Sequence, residues 1–175
     1  LGLVCESMEY VDTSTRVIFS VHIGLNSMTL LTWGNEEQKE KYLVPQAKGE
    51  KIATFGLTEP AAGSDAVGIL TTAEKRGDNY ILNGEKMWIS LADAADNFLI
   101  FAWTDRKKQK ARDHSGMSAF IVEREFSGVS TGNIEGKLGV RAGNTGWIAL
   151  QDCEVPAANL LGREGEGFKI AMACL

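Results

Sequence analysis

Two short stretches carry side chains that could do chemistry together. The first is Phe55-Gly-Leu-Thr-Glu-Pro-Ala-Ala-Gly-Ser-Asp65. Pro60 pushes its predecessor Glu59 into an extended or turn conformation. The small residues Ala61, Ala62 and Gly63 let a ligand come close to the backbone, and Ser64 and Asp65 add polar groups. Such a turn exposes peptide N–H groups to an anion or to the carbonyl-rich edge of a ring. The same residues also read as a sharp loop capped by serine and aspartate. The second stretch is Leu82-Asn-Gly-Glu-Lys-Met-Trp-Ile-Ser90. Trp88 and Ser90 are two positions apart, which puts them on one face of a strand. An indole beside a hydroxyl suits a flat heteroaromatic ligand, which needs an apolar wall and a few placed donors. A cross-strand aromatic in an ordinary core fits that spacing equally well.

The elements that must position these residues change character near Ile52. Before it the sequence reads as helix. Val17, Val21, Leu25 and Met28 mark one helical face, and Gly34 is the expected stop. Asn35 with Gln38 three positions later forms a capping box, and Glu36 and Glu37 favour the positive helix end. That second helix is expected over 36–43, stopping at Pro45. From Ile52 onward, short runs rich in aromatic and β-branched residues predict strands at 52–58, 70–75, 80–82, 86–90, 98–104, 118–123 and 147–150. Turn signals separate them at Gly77-Asp78, Asn83-Gly84, Ser127-Gly128 and Gly143-Asn144, with Asn83-Gly84 read as a hairpin turn. Short strands without helices between them imply an antiparallel barrel or sandwich. The fold class is therefore α+β: an antiparallel β-barrel or sandwich flanked by helical segments. The expected divisions are 1–51, 52–160 and 161–175.

Composition narrows the partners. The 175 residues are 44% apolar and 23% charged, with a net charge of −5. An acidic balance gives no basic field for nucleic acid. Cys5, Cys153 and Cys174 are odd in number and far apart, suggesting neither a disulfide framework nor a metal site. The most apolar stretch, 17–33, is interrupted by Ser20, His22, Asn26 and Ser27 and is too polar for a membrane span. Phe168, Ala171, Met172 and Leu175 repeat at helical spacing to the last residue, so the chain reads as a fragment of something longer.

Taken together, in this order and spacing, the two chemical stretches resemble the acyl-CoA dehydrogenase family. The resemblance extends to Asn35-Glu-Glu-Gln-Lys-Glu-Lys-Tyr42, Lys137-Leu-Gly-Val-Arg141, Asp152-Cys-Glu-Val-Pro156 and Asn159-Leu-Leu-Gly162 through Gly167-Phe-Lys-Ile-Ala-Met172. It implies FAD as cofactor, an acyl-CoA thioester as substrate and an electron-transfer flavoprotein as acceptor. It also implies a homotetramer, in the cytoplasm or, in a eukaryote, the mitochondrial matrix. By position, Phe55, Gly56, Leu57, Thr58, Gly63 and Ser64 would line the flavin, with backbone groups near Leu57 and Thr58 at its pyrimidine edge. Trp88 and Ile89 would flank the ring, and Ser90 would hydrogen-bond its N5. Ser64 and Ser115 would meet the substrate. Ser90 stands where the family usually has threonine, Leu91 where asparagine is frequent and Gly143 where serine is common. The family's catalytic base comes from a C-terminal bundle beyond these residues, so none is assigned, and Glu59 does not match that role. The 175 residues alone are expected to be inactive and to retain FAD poorly. An acyl-CoA oxidase or decarboxylating relative, or a scaffold without catalysis, are the other readings.

Three further motifs have plainer explanations. Gly162-x-x-Gly165-x-Gly167 lacks the spacing and βαβ context of a dinucleotide loop and reads as a turn joining domains. Arg106-Lys-Lys-Gln-Lys-Ala-Arg112 reads as a solvated loop between strands, with attraction for CoA phosphates as the alternative. His22 is expected at a helix contact and His114 in a loop.

Overall fold

The computed structural model describes residues 2–175. A first helix, Gly2–Val11, is followed by a continuous helical run over 13–33, capped by the Asp12 carboxylate, which accepts the Ser14 N–H at 2.7 Å. Its middle part, Phe19–Ser27, is wound in wider π turns. The face it buries is not the apolar one expected from Val17, Val21, Leu25 and Met28. His22, Asn26, Thr29 and Leu30 are buried, whereas Met28 is 50% exposed. The reason is what the helix covers. It lies against the open edge of a strand, where backbone groups need partners. His22 Nδ1 accepts the Ala53 N–H at 3.0 Å, and the Asn26 amide donates to the Thr54 carbonyl at 2.7 Å.

The next helix opens on the expected capping box. The Asn35 side chain accepts the Gln38 N–H, and the Gln38 side chain accepts the Asn35 N–H. It does not stop at Pro45 but continues to Ala47. The π turns of Lys39–Leu43 precede the proline, which enters at the start of the segment Val44–Ala47, where a missing N–H donor costs little.

Eight strands follow: β1 (Ala53–Gly56), β2 (Thr72–Arg76), β3 (Asn79–Ser90), β4 (Asn97–Trp103), β5 (Met117–Glu123), β6 (Val129–Asn133), β7 (Thr145–Pro156) and β8 (Leu160–Leu161). They form one sheet in the order β6-β7-β3-β2-β4-β5-β8, with β1 beside β4. Most pairs are antiparallel; β1 runs parallel to β4, and β2 meets β4 in parallel at a single pair, Thr72 with Trp103. The path is open, so the mixed α+β class holds with a curled sheet in place of a closed barrel. β4 shows how the layers form, because it is buried at every position. Leu99, Phe101 and Trp103 join the core shared with the helices, while Phe98, Ile100 and Ala102 join a second core enclosed by the sheet. Such double-sided burial is what a continuous apolar run in a central strand implies. The helix Gly167–Cys174 packs on the helical side, burying Ile170 and Ala171.

Two expectations about β3 need correcting. Asn83-Gly84 is not a hairpin turn; residues 79–90 form one strand, with a register shift against β7 between Leu82 and Gly84. Gly84 has φ +154°, and a Cβ there would lie 2.3 Å from Thr71 Oγ1, so the glycine serves close packing inside a bulge. Nor do Trp88 and Ser90 simply alternate along a regular strand. A second shift falls between Met87 and Ile89, and Trp88 itself has φ +62°. For a bulky residue that conformation is rare and costs about 1–3 kcal/mol.

Candidate active site

The turn after β1 and the bulged end of β3 are locked together by consecutive contacts. The Met87 N–H donates to the Thr58 carbonyl at 3.0 Å, Lys86 Nζ to the Leu57 carbonyl at 3.2 Å, and Thr54 Oγ1 to the Ser90 carbonyl at 2.5 Å. Between them opens a cavity of about 240 Å³ lined by Phe55, Leu57, Thr58, Gly63, Trp88, Ile89 and Ser90, with Val21 and Leu25 of the π-wound helix and Leu175 on its other side. The bulge makes this possible: it turns Trp88 outward, where it is 61% exposed, and Ile89 inward, where it is buried. The two hydroxyls singled out by the sequence, on Thr58 and Ser90, therefore border one slot. Its lining combines aromatic and aliphatic side chains with the hydroxyl-bearing Thr58 and Ser90, the make-up of a small-molecule or cofactor site. Its volume is below the ~300–1,000 Å³ usual for a whole small-molecule pocket, so it can enclose one part of a larger ligand.

Behind the Leu57–Thr58 wall lies a feature the sequence did not announce. Lys86 and Glu59 form an ion pair at 2.7 Å with side-chain exposures of 0% and 4%. Glu59 is fully engaged. Its carboxylate also accepts the Leu70 N–H at 2.5 Å, the Thr71 N–H at 3.1 Å and Thr71 Oγ1 at 2.5 Å. Burial pushes the Glu59 carboxyl upward, but the Lys86 charge and these donors outweigh it and leave it below the usual carboxylate range. Lys86 has only two acceptors, and desolvation brings it down to about 8 despite the attraction of Glu59. The burial phase of Tyr80 and Leu82 in β3 does return at Lys86, but only past the register shift at Gly84 and on a charged residue, so the sequence alone does not single it out. The nearest turn offers two carboxylates, and Glu59 is the buried one that meets it, whereas Asp65 is exposed and pairs with Arg112.

Comparison with known proteins places the chain in a family. Residues 54–153 match the family described as acyl-CoA dehydrogenase, middle domain, and residues 1–50 match acyl-CoA dehydrogenase, N-terminal domain. The chain belongs to the acyl-CoA dehydrogenase family. It is 47% identical over 173 residues to "Acyl-CoA dehydrogenase, short-chain specific" of Clostridium acetobutylicum, a match covering 99% of this chain and 45% of that protein. The structure of butyryl-CoA dehydrogenase from Megasphaera elsdenii superposes with a TM-score of 0.88 at 43% identity, covering 93% of this chain and 42% of that one. An acyl-CoA dehydrogenase complexed with FAD from Bacillus anthracis gives a TM-score of 0.88 at 41% identity, over 98% of this chain and 28% of that one. The chain thus spans a little under half the length of the short-chain relative.

Three sequence-nominated residues lie outside the slot of this acyl-CoA dehydrogenase chain. Gly56 sits behind the wall, where a Cβ would meet Ile100 Cδ1 at 2.7 Å and Lys86 Cγ at 3.5 Å. Ser64 is exposed on the turn, and Ser115 is half-buried in the short turn His114–Gly116. The segments carrying the two serines are tethered to each other, because Arg112 Nη2 contacts both Asp65 carboxylate oxygens at 2.8 Å. The basic run is a helix, Arg106–Ala111, capped by Asp105, and not a loop. The Asp105 carboxylate accepts the N–H groups of Lys107 and Lys108, which starts a helix where a loop is expected. His114 stacks on Phe168 at 4.5 Å, and His22 is committed to β1 and to the Gln46 carbonyl.

Proposed function

We propose that this chain is the N-terminal and middle part of an FAD-dependent acyl-CoA dehydrogenase acting on a short-chain CoA thioester. It would pass its electrons to an electron-transferring flavoprotein and work as a homotetramer. The observation that carries the reading is the slot in which Thr58, Trp88 and Ser90 converge. Support for the partners comes from relatives: several bear short-chain names, and a structural neighbour at 46% identity comes from work on an electron transferring flavoprotein of Acidaminococcus fermentans.

The slot fits one edge of an isoalloxazine. Phe55, Leu57 and Ile89 give an apolar floor, the hydroxyls of Thr58 and Ser90 give donors, and the strained Trp88 offers an exposed indole to stack on the ring. A Cβ on Gly63 would meet nothing within 4 Å, so the mouth of the slot is open where the rest of the cofactor must lie. When bound, FAD supplies the acceptor for the hydride leaving the β-carbon. Thr58 and Ser90 donate to the polar edge where negative charge builds up, and preorganised donors of this kind stabilise a transition state more than a ground state. Ser64 and Ser115, on their tethered segments, are proposed contacts for the CoA arm.

The test is direct. The intact protein carrying this chain should purify yellow, and an acyl-CoA panel without oxygen should bleach it, short straight chains fastest. A colourless protein that no acyl-CoA affects would leave only the scaffold reading; product formed with oxygen as sole acceptor would point to an oxidase. Ser90→Ala should slow bleaching about 10- to 100-fold while leaving FAD content almost unchanged. Equal rates in stopped-flow reduction would remove Ser90 from the reaction.

A further inference from the structure

Lys86 is an odd choice for a position with no exposure. A buried ion pair is no bargain for stability, since well-packed apolar residues of similar size often do as well or better. Its placement suggests another use. Lys86 Nζ reaches Leu57, a slot-lining residue, through the carbonyl at 3.2 Å. The Glu59 carboxylate instead faces Leu70 and Thr71, neither of which borders the slot. Both charges lie behind the wall, the cation bonded to its backbone and the anion bonded to residues that do not border the slot.

The peptide between Leu57 and Thr58 transmits the charge. No cis peptide bond is present among the described residues, and in a trans peptide the C=O and N–H point in opposite directions. With the Leu57 carbonyl held by Lys86, the Thr58 N–H is directed away from the lysine. A cation on the carbonyl oxygen also polarises the amide and strengthens its N–H as a donor. The next carbonyl, that of Thr58, is fixed by the Met87 N–H at 3.0 Å, so the following peptide is held too, and turning the Leu57–Thr58 peptide over would break the bond to Lys86.

Resting on the flavin reading above, we infer that the Lys86–Glu59 pair is a positioning element for the cofactor: it aims the Leu57–Thr58 peptide and biases the flavin's reduction potential through an oriented charge pair. Neither residue touches the reacting atoms. Lys86→Met removes the near cation, and Glu59→Gln removes the far anion while keeping an amide of the same shape.

The experiment is a spectroelectrochemical titration of the flavin in intact holoprotein. Lys86→Met should move the midpoint potential to more negative values and Glu59→Gln to more positive ones, with the double variant between them. A pair that only supports the fold would lower FAD retention in both variants without shifts of opposite sign. Potentials unchanged, or displaced in the same direction, in FAD-containing variants overturn the inference and leave the flavin site standing. A wild-type protein without FAD would instead bring down the reading beneath it. Should Lys86→Met not accumulate as folded holoprotein, Thr71→Val takes its place. It strips the 2.5 Å hydroxyl donor from Glu59, leaves the anion less compensated and should shift the potential negative, opposite to Glu59→Gln. The same sign for both, or no shift in either, overturns the proposal.

Discussion

At one end of the turn that follows β1, Glu59 meets Lys86 at 2.7 Å with exposures of 4% and 0%; at the other, Asp65 meets Arg112 at 2.8 Å with both side chains more than half exposed. The contact lengths are nearly equal. The surroundings are not, and they decide what each pair is worth. In the interior, two charges have given up water and depend on each other and on every donor around them. At the surface, water already satisfies both partners, and salt screens what remains. One turn therefore has a rigid root and a compliant tip. The root lies against the slot, and the tip carries Ser64, a proposed contact for the CoA arm.

Breaking the root should give the largest effect. Lys86→Met leaves the Glu59 carboxylate buried without its cation, at a cost of about 3–5 kcal/mol in chemical denaturation. Adding Glu59→Gln should recover part of that loss, because the remaining amide is neutral and its single oxygen can still accept from Thr71, although the Leu70 N–H loses its acceptor. A double variant no more stable than Lys86→Met would mean that the lysine stem, not its charge, holds this region.

Gly84→Ala tests the same root from the opposite strand and should cost less. Its Cβ would collide with Thr71, whose hydroxyl and N–H both serve Glu59. Forcing a side chain into a packed site of this kind costs about 1–3 kcal/mol. Thermal unfolding should show the loss, and FAD release should quicken with it. An unchanged midpoint would mean that the bulge yields freely and that Thr71 is not held in place by β3.

Much of this architecture was legible because it depends on local chemistry. Asn35 and Gln38 sit at the one spacing at which each can cap the other, and the contacts found are those two bonds. Gly77-Asp78 joins β2 to β3 in the tightest available turn, as its residues dictate. Residue types alone leave Trp88 and Ser90 open between a ligand wall and an ordinary core, and it is the family resemblance that nominates the wider set, of which Gly56, Ser64 and Ser115 lie outside the slot. What escaped notice depends on long-range partners. Lys86 reads as a surface residue until Glu59, 27 positions away, is placed beside it. His22 and Asn26 look like interruptions of an apolar face until β1 presents its edge to them. Gly84 looks like a turn because its need for a missing Cβ comes from Thr71, just before the neighbouring strand. Periodicity finds apolar burial; it does not show a polar group whose partner is far along the chain.

The compliant tip supplies the smallest prediction and the control for the others. Arg112 bridges both Asp65 oxygens, a geometry that favours it over a single contact, but both groups are well solvated. Arg112→Ala should therefore cost no more than about 1 kcal/mol, with the difference fading as salt is raised. Arg112 also ends its helix at φ +56°, a conformation that alanine does not relieve, so the substitution isolates the ion pair from backbone strain. Flavin content should not change, whereas affinity for the CoA ester should fall if the tether aligns Ser64 with Ser115. A loss of stability as large as that of Lys86→Met would show that solvent exposure is not what separates the two ends. The turn would then be one cooperative unit anchored equally at both.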